Sequence, residues 1–252
     1  MPIRVGSTDY SKVYVGSTEY DTAYYGSTQV LAPAAAGEIT YVGADADEDA
    51  TGGDIALTLP THATEDFGII LSGAEYGSDV QAVTVATGWT LLRSDTTTPG
   101  RDFTTNIWYK KFTSASESNP TITTSVSAET SASVAVFRGV DTTTAFDVTE
   151  VYASGQNDTK PQNSAITPVS DNSCLLLYHY VTHNEVSAIA VPGTPASLVL
   201  GPTTIRPNRN QGLAYILDIG TAATITPTQW NNTSATSAAE YHVYTLALRA
   251  AT

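Results

Sequence analysis

Apolar and polar residues alternate with a period of two in several short runs. Between Ser131 and Arg138, Ala132, Val134 and Val136 hold the even positions and the odd ones are mostly small, which predicts a strand with one face in a core. Cys174–Thr182 is apolar on both faces and ends in β-branched and aromatic residues, which suits the central strand of a sandwich. Further strand-like runs lie near 38–43, 54–59, 66–72, 80–86, 89–93, 105–113, 120–126, 147–151, 163–167, 186–191, 212–219 and 240–249, separated by turns rich in Gly, Pro, Asp, Asn and Thr. No window of a dozen residues carries an i, i+3, i+4, i+7 pattern, and the Ala-rich stretches at 32–36 and 234–239 are broken by Pro, Ser and Thr. The expected fold is all-β: an antiparallel, jelly-roll-like β-sandwich over residues 38–252, almost free of helix.

A different pattern precedes it. A ten-residue unit occurs three times, at 5–14, 15–24 and 25–30, each with an apolar residue, then Gly-Ser-Thr, an acidic or amide residue and a large apolar one (Tyr10, Tyr20, Val30). Each Gly-Ser-Thr reads as a turn between short β segments such as 12–15 and 22–25, because glycine takes φ > 0 freely and Ser/Thr hydroxyls bond local backbone. Such a ladder buries too little surface to stand alone and needs a partner surface. Ala32-Pro33-Ala34-Ala35-Ala36-Gly37 reads as a linker, so the chain divides into an arm at 1–31, a linker at 32–37 and the sandwich at 38–252.

Charge narrows the functions. The 252 residues hold 11 Lys+Arg against 25 Asp+Glu, a net charge of −14, opposite in sign to a protein that binds nucleic acid by counterion release. The mean hydropathy is −0.08, and the longest apolar run, 174–181, is far below the roughly 20 residues of a membrane span. No secretory leader is expected from the first residues, which points to folding in a cytosol. One cysteine, Cys174, excludes an intrachain disulfide and any multi-cysteine metal site, and it reads as a small core residue.

Candidate chemistry is sparse. His179 and His183 stand four apart, a metal spacing on a helix but roughly 13 Å along a strand, so His179/His183/Glu185 would hold zinc only if the strand stopped at Thr182. Asp45, Asp47, Glu48, Asp49 and Asp54 begin like a calcium loop, but Ala50 and Ala56 stand where its glycine and bidentate glutamate belong; a solvated acidic loop is expected. No serine lies in Gly-x-Ser-x-Gly, no carboxylate pair stands out for glycoside cleavage, and no phosphate-binding loop follows a strand. No cofactor is expected. Trp89 and Trp108 look like core strand residues, whereas Trp230, between Gln229 and Asn231-Asn232, reads as exposed and able to stack on a ligand such as a sugar ring.

The Gly-Ser-Thr-x-Tyr units resemble N-terminal repeats of virion proteins of tailed bacteriophages, particularly head-fibre, head-spike and tail-fibre components. Gly88-Trp89-Thr90-Leu91-Leu92, Ile107-Trp108-Tyr109-Lys110 and Val134–Asp141 are similar to a β-sandwich module of the same class. The resemblance implies a non-enzymatic structural protein on the virion surface after synthesis in the host cytoplasm, its arm bound to a capsid or tail protein and its sandwich facing outward. Gly6, Gly16 and Gly26 would make the turns, and Tyr10, Tyr14, Tyr20, Tyr24 and Tyr25 the apolar contacts. A head decoration, fibre or spike is the first expectation. The alternative is a tail-fibre or receptor-binding module recognising host surface glycan around Trp230. A homo-oligomer such as a trimer would cover the free strand edges of the repeats.

Overall fold

The computed structural model describes residues 13–15, 18–20, 23–25, 28–31, 37–75, 83–85, 88–97, 103–125, 128–156, 160–182, 186–206, 209–234 and 240–251, and among them there is no helix. The arm contributes four short strands, β1 (Val13–Val15), β2 (Thr18–Tyr20), β3 (Ala23–Tyr25) and β4 (Thr28–Leu31). The body begins with β5 (Thr40–Asp49), β6 (Ile55–Ala56), β7 (Phe67–Glu75), β8 (Val83–Val85), β9 (Thr90–Thr97), β10 (Phe103–Lys111), β11 (Thr121–Thr124) and β12 (Glu129–Arg138). It continues with β13 (Val151–Gln156), β14 (Cys174–Thr182), β15 (Val186–Ala188), β16 (Val199–Arg206), β17 (Arg209–Ile216), β18 (Thr233–Ser234) and β19 (Glu240–Leu248).

Two five-stranded antiparallel sheets form the middle of the body, ordered β5-β12-β7-β10-β9 and β13-β19-β14-β17-β16. The two orders are the same. Counted within its own half, each sheet runs first, last, second, fourth, third, so residues 40–138 and 151–248 are two copies of one topology. Their ladders also match in register. Phe67 faces Phe137 as Cys174 faces Leu248, and Ile107 faces Leu71 as Leu213 faces Tyr178. On this correspondence Glu129 and Arg138 at the ends of β12 align with Glu240 and Arg249 on and just after β19.

The sheets are packed face to face. Phe67, Ile69, Leu71, Ile107, Ala135 and Phe137 of one meet their counterparts Cys174, Leu176, Tyr178, Leu213, Leu246 and Leu248 of the other in one buried core. The alternate residues point outward but do not reach solvent. In the N-terminal half, Ile70, Ala132, Val134 and Val136 are covered by the small sheet β6-β11-β8, with Phe112 beneath it. In the C-terminal half, Leu175, Leu177, Ala214 and Ala247 are covered by Trp230, Ile166 and Ile189, in segments held by isolated bridges at Gln162–Gln229 and Ile166–Ile225 and by the β15–β18 pair. Burial on both faces explains why β7 and β14 are buried along their whole length.

Equivalent positions that touch each other lie on the approximate two-fold axis relating the halves. Gly73 and Tyr180 are such a pair. A Cβ on Gly73 would lie 2.0 Å from the Tyr180 ring, so the axis is filled by one large and one absent side chain. Off the axis, β16 lies against β5, and β9 reaches β13 through Arg93, whose guanidinium lies 4.6 Å over the Tyr152 ring and 3.5 Å from Glu150. The edges are blunted: β5 carries Asp45, Asp47, Glu48 and Asp49, and β16 has an irregular register at Gly201-Pro202.

Candidate functional site

The arm is the first candidate. Val15 pairs with Thr18 and Tyr25 with Thr28, so two residues, Gly-Ser in both cases, join each hairpin. β1 pairs with β2, and β3 with β4. Tyr14 is in register with Glu19, Tyr20 with Val13 and Tyr24 with Gln29. Gly6, Tyr10, Gly16 and Gly26 lie outside the described residues. Strands of three or four residues in two-stranded units cannot hold their shape by themselves in water.

The body corrects two expectations. Trp230 does not face a ligand: it is fully buried, its Nε1 donates to Asn163 Oδ1 at 2.8 Å, and its ring meets His179 edge-on at 4.1 Å. Its polar neighbours serve the chain instead, Asn231 Nδ2 donating to Val191 O at 3.0 Å. The acidic run is also not a loop, since Asp45–Asp49 continue β5 to its end. Asp45 accepts from Thr58 N at 2.6 Å, and Asp49 accepts from the Thr51 amide and hydroxyl. Hydrogen bonds from the Thr51 side chain and the Gly53 and Thr51 amides lower the Asp49 carboxyl to about 2. Among the described residues no group of three or more His, Cys, Asp or Glu is placed to hold a metal. His183 and Glu185 lie outside them. Cys174 is fully buried, and burial pushes its thiol up. Trp89 and Trp108 are partly buried against the N-terminal private core.

The shared core has two unlike ends. At one end both halves close with an arginine on a buried aspartate. Arg138 Nε and Nη2 bond Asp66, both at 2.8 Å, and Arg249 Nε donates to Asp147 at 3.1 Å. Burial opposes ionisation of both carboxyls, but hydrogen bonds from Arg138 and Ala63 lower Asp66, and those from Ser170, Val169 and Arg249 lower Asp147. The chain enters from the arm here, where Gly37 N donates to Ala251 O at 2.5 Å. Gly139, at φ +83°, turns the chain out of β12; a Cβ on it would come within 2.4 Å of Glu38 O. Beside it an open cleft of about 390 Å³ is lined by Glu65, Asp66, Arg138, Asp141 and Thr142, among others. Within it Glu65 is already held by Lys111 at 2.5 Å and Thr142 at 3.2 Å.

At the other end the core turns polar. Thr105 on β10 bonds His242 Nδ1 at 2.6 Å and the Tyr244 hydroxyl, both on β19, and Arg209 on β17 pairs with Glu129 on β12. Both contacts cross between the halves. Thr105, His242 and Tyr244 are all buried, so the network fixes β10 to β19 instead of presenting a reactive group to solvent. No local pattern marks this network, because Thr105 lies 137 and 139 residues from His242 and Tyr244. The one visible trace of the duplication was the equal spacing from Glu129 to Arg138 and from Glu240 to Arg249. Compared with protein-family models, with curated proteins and with solved structures, the chain matches none.

Proposed function

We propose that the chain is a non-enzymatic structural component of a tailed-phage particle, bound to a capsid or tail protein through its N-terminal repeats and carrying its β body on the particle surface. The observation that supports this most is the arm. Repeated decads give hairpins of three- and four-residue strands, elements that need a neighbouring surface to persist, ahead of a body with three buried cores of its own. The described body begins at Gly37, whose amide bonds Ala251 O beside the end closed by Arg138–Asp66 and Arg249–Asp147. A net charge of −14 suits a solvated outer surface. A head decoration, fibre or spike is the reading we adopt, with the arms of several copies covering one another's strand edges.

The test is deletion of residues 1–31. The truncated chain is expected to fold with an unchanged melting temperature and to be missing from purified particles. Its incorporation at the copy number of the full chain would refute the attachment role.

A further inference from the structure

We infer that the C-terminal half is built to open in acid before the N-terminal half does, because His179 and His242 occupy buried positions that the N-terminal half gives to serine. The inference rests on the duplicated body and is independent of where the protein acts. On the matched ladders His179 corresponds to Ser72, and His242 to Ser131. All four are buried. Serine is uncharged at any pH, whereas a histidine takes up a proton near pH 6.5 when released into water.

His179 lies on the outward face of β14 beneath Trp230. Around it stand the Trp230 ring, Gly212 of β17 and Ile189, so that neither charge nor carboxylate meets the imidazole, and neither ring nitrogen has a hydrogen-bond partner among the described residues. Burial alone pushes it down to about 3. His242 lies in the shared core. Facing it are Thr105 and Phe103 of β10, Tyr152 of β13, Tyr244 of its own strand and the Arg93 cation of β9. Asp95 of β9 and Glu150 ahead of β13 are engaged by Arg93. Burial and, after it, the Arg93 charge push His242 down to about 3. Protonating either ring in place therefore requires the half to open: Trp230 must lift from His179, or the halves must part at Thr105. His62, the described histidine of the N-terminal half, is only partly buried and is hydrogen-bonded at both nitrogens, to Pro60 O and Glu117 N.

The sign follows from the lowered folded values. Above pH 6.5 both states are neutral and nothing changes; as pH falls from 6.5 toward 3 the opened state gains protons that the closed state refuses. At pH 5 each histidine raises the opening equilibrium about 30-fold. The buried carboxylates add their own loss only below about pH 4.

The experiment is amide hydrogen exchange on the full chain at pH 7 and pH 5, corrected for intrinsic rates and read by peptide. Exchange is expected to rise more than tenfold in β14, β17 and β19 while β7, β10 and β12 change little. In His179→Ser/His242→Ser the difference between the two pH values should vanish, whatever the variant's stability at pH 7. Should that variant not accumulate, histidine NMR on the unaltered chain gives the answer: no titration of the two rings in the closed state above pH 5 supports the device. Equal acceleration in both halves, or either ring titrating near 6.5 while the amides of its strand stay protected, would overturn it.

Discussion

The two halves of the body share a topology and a register and differ in how they cover their outer faces. In the N-terminal half Trp108 on β10, with Trp89 just before β9 and Phe112 just after β10, lies beneath a three-stranded sheet. The C-terminal half has Ala214 where Trp108 stands, and fills the space with Trp230 from a connecting segment. Gly68, whose Cβ would meet Trp89 and Phe112 at 2.8 and 2.9 Å, has Leu175 as its counterpart. Each outer core is filled by large side chains that come from different places in the two halves. The shared core has no such freedom, since each half is the wall of the other, and there the halves keep matched apolar positions. The halves therefore differ most in their outer cores and at the Gly73–Tyr180 contact, and least in the apolar positions they share.

The largest effect is expected on that axis. Gly73→Tyr should leave no folded protein, because Tyr180 already fills the space; the exchange Gly73→Tyr/Tyr180→Gly should restore a cooperative urea transition. If the exchange fails as completely as the single change, the halves are less equivalent than their ladders imply. Next, Trp230→Ala should cost about 3–5 kcal/mol in urea unfolding, and Trp108→Ala about 2, since Trp108 is only partly buried. The end clamps come third. Arg249→Ala leaves Asp147 buried with fewer partners and should cost about 2–3 kcal/mol. Arg138→Ala should cost about 1–2 kcal/mol, because the Arg138 side chain is 54% exposed and that of Arg249 30%. The smallest effect is on the acid limb. Asp66 and Asp147 have lowered folded values, so they stabilise the fold above about pH 4, and that stability is lost as pH falls further. Asp147→Asn should flatten this limb in pH-dependent melting.

Much of the fold was legible in the chain. Cys174–Thr182 is legible to the residue from its apolar run, and β12 and β19 to within two residues at each end, from patterns that close at Arg138 and Arg249. Other features were hidden for physical reasons. β16 carries Gly201-Pro202, which interrupts the strand pattern but is tolerated on a sheet edge. Asp45–Asp49 looked like a loop because an edge strand needs no apolar alternation on its solvated side. Trp230 looks exposed because its neighbours are polar, yet its Nε1 reaches Asn163 in the interior and Asn231 bonds Val191 O. The duplication itself left almost no identity between the halves, since what it preserves is a pairing order and a set of faces. The ten-residue repeat of the arm is legible in the chain, and what is described of it is the paired strands β1–β2 and β3–β4.

The most direct test of the proposed role is to label intact particles with antibody raised against residues 38–252 and image them by electron microscopy. Label is expected on the particle surface, over the head shell, and is expected to disappear from particles assembled with the chain lacking residues 1–31. Label on no particle would contradict that role.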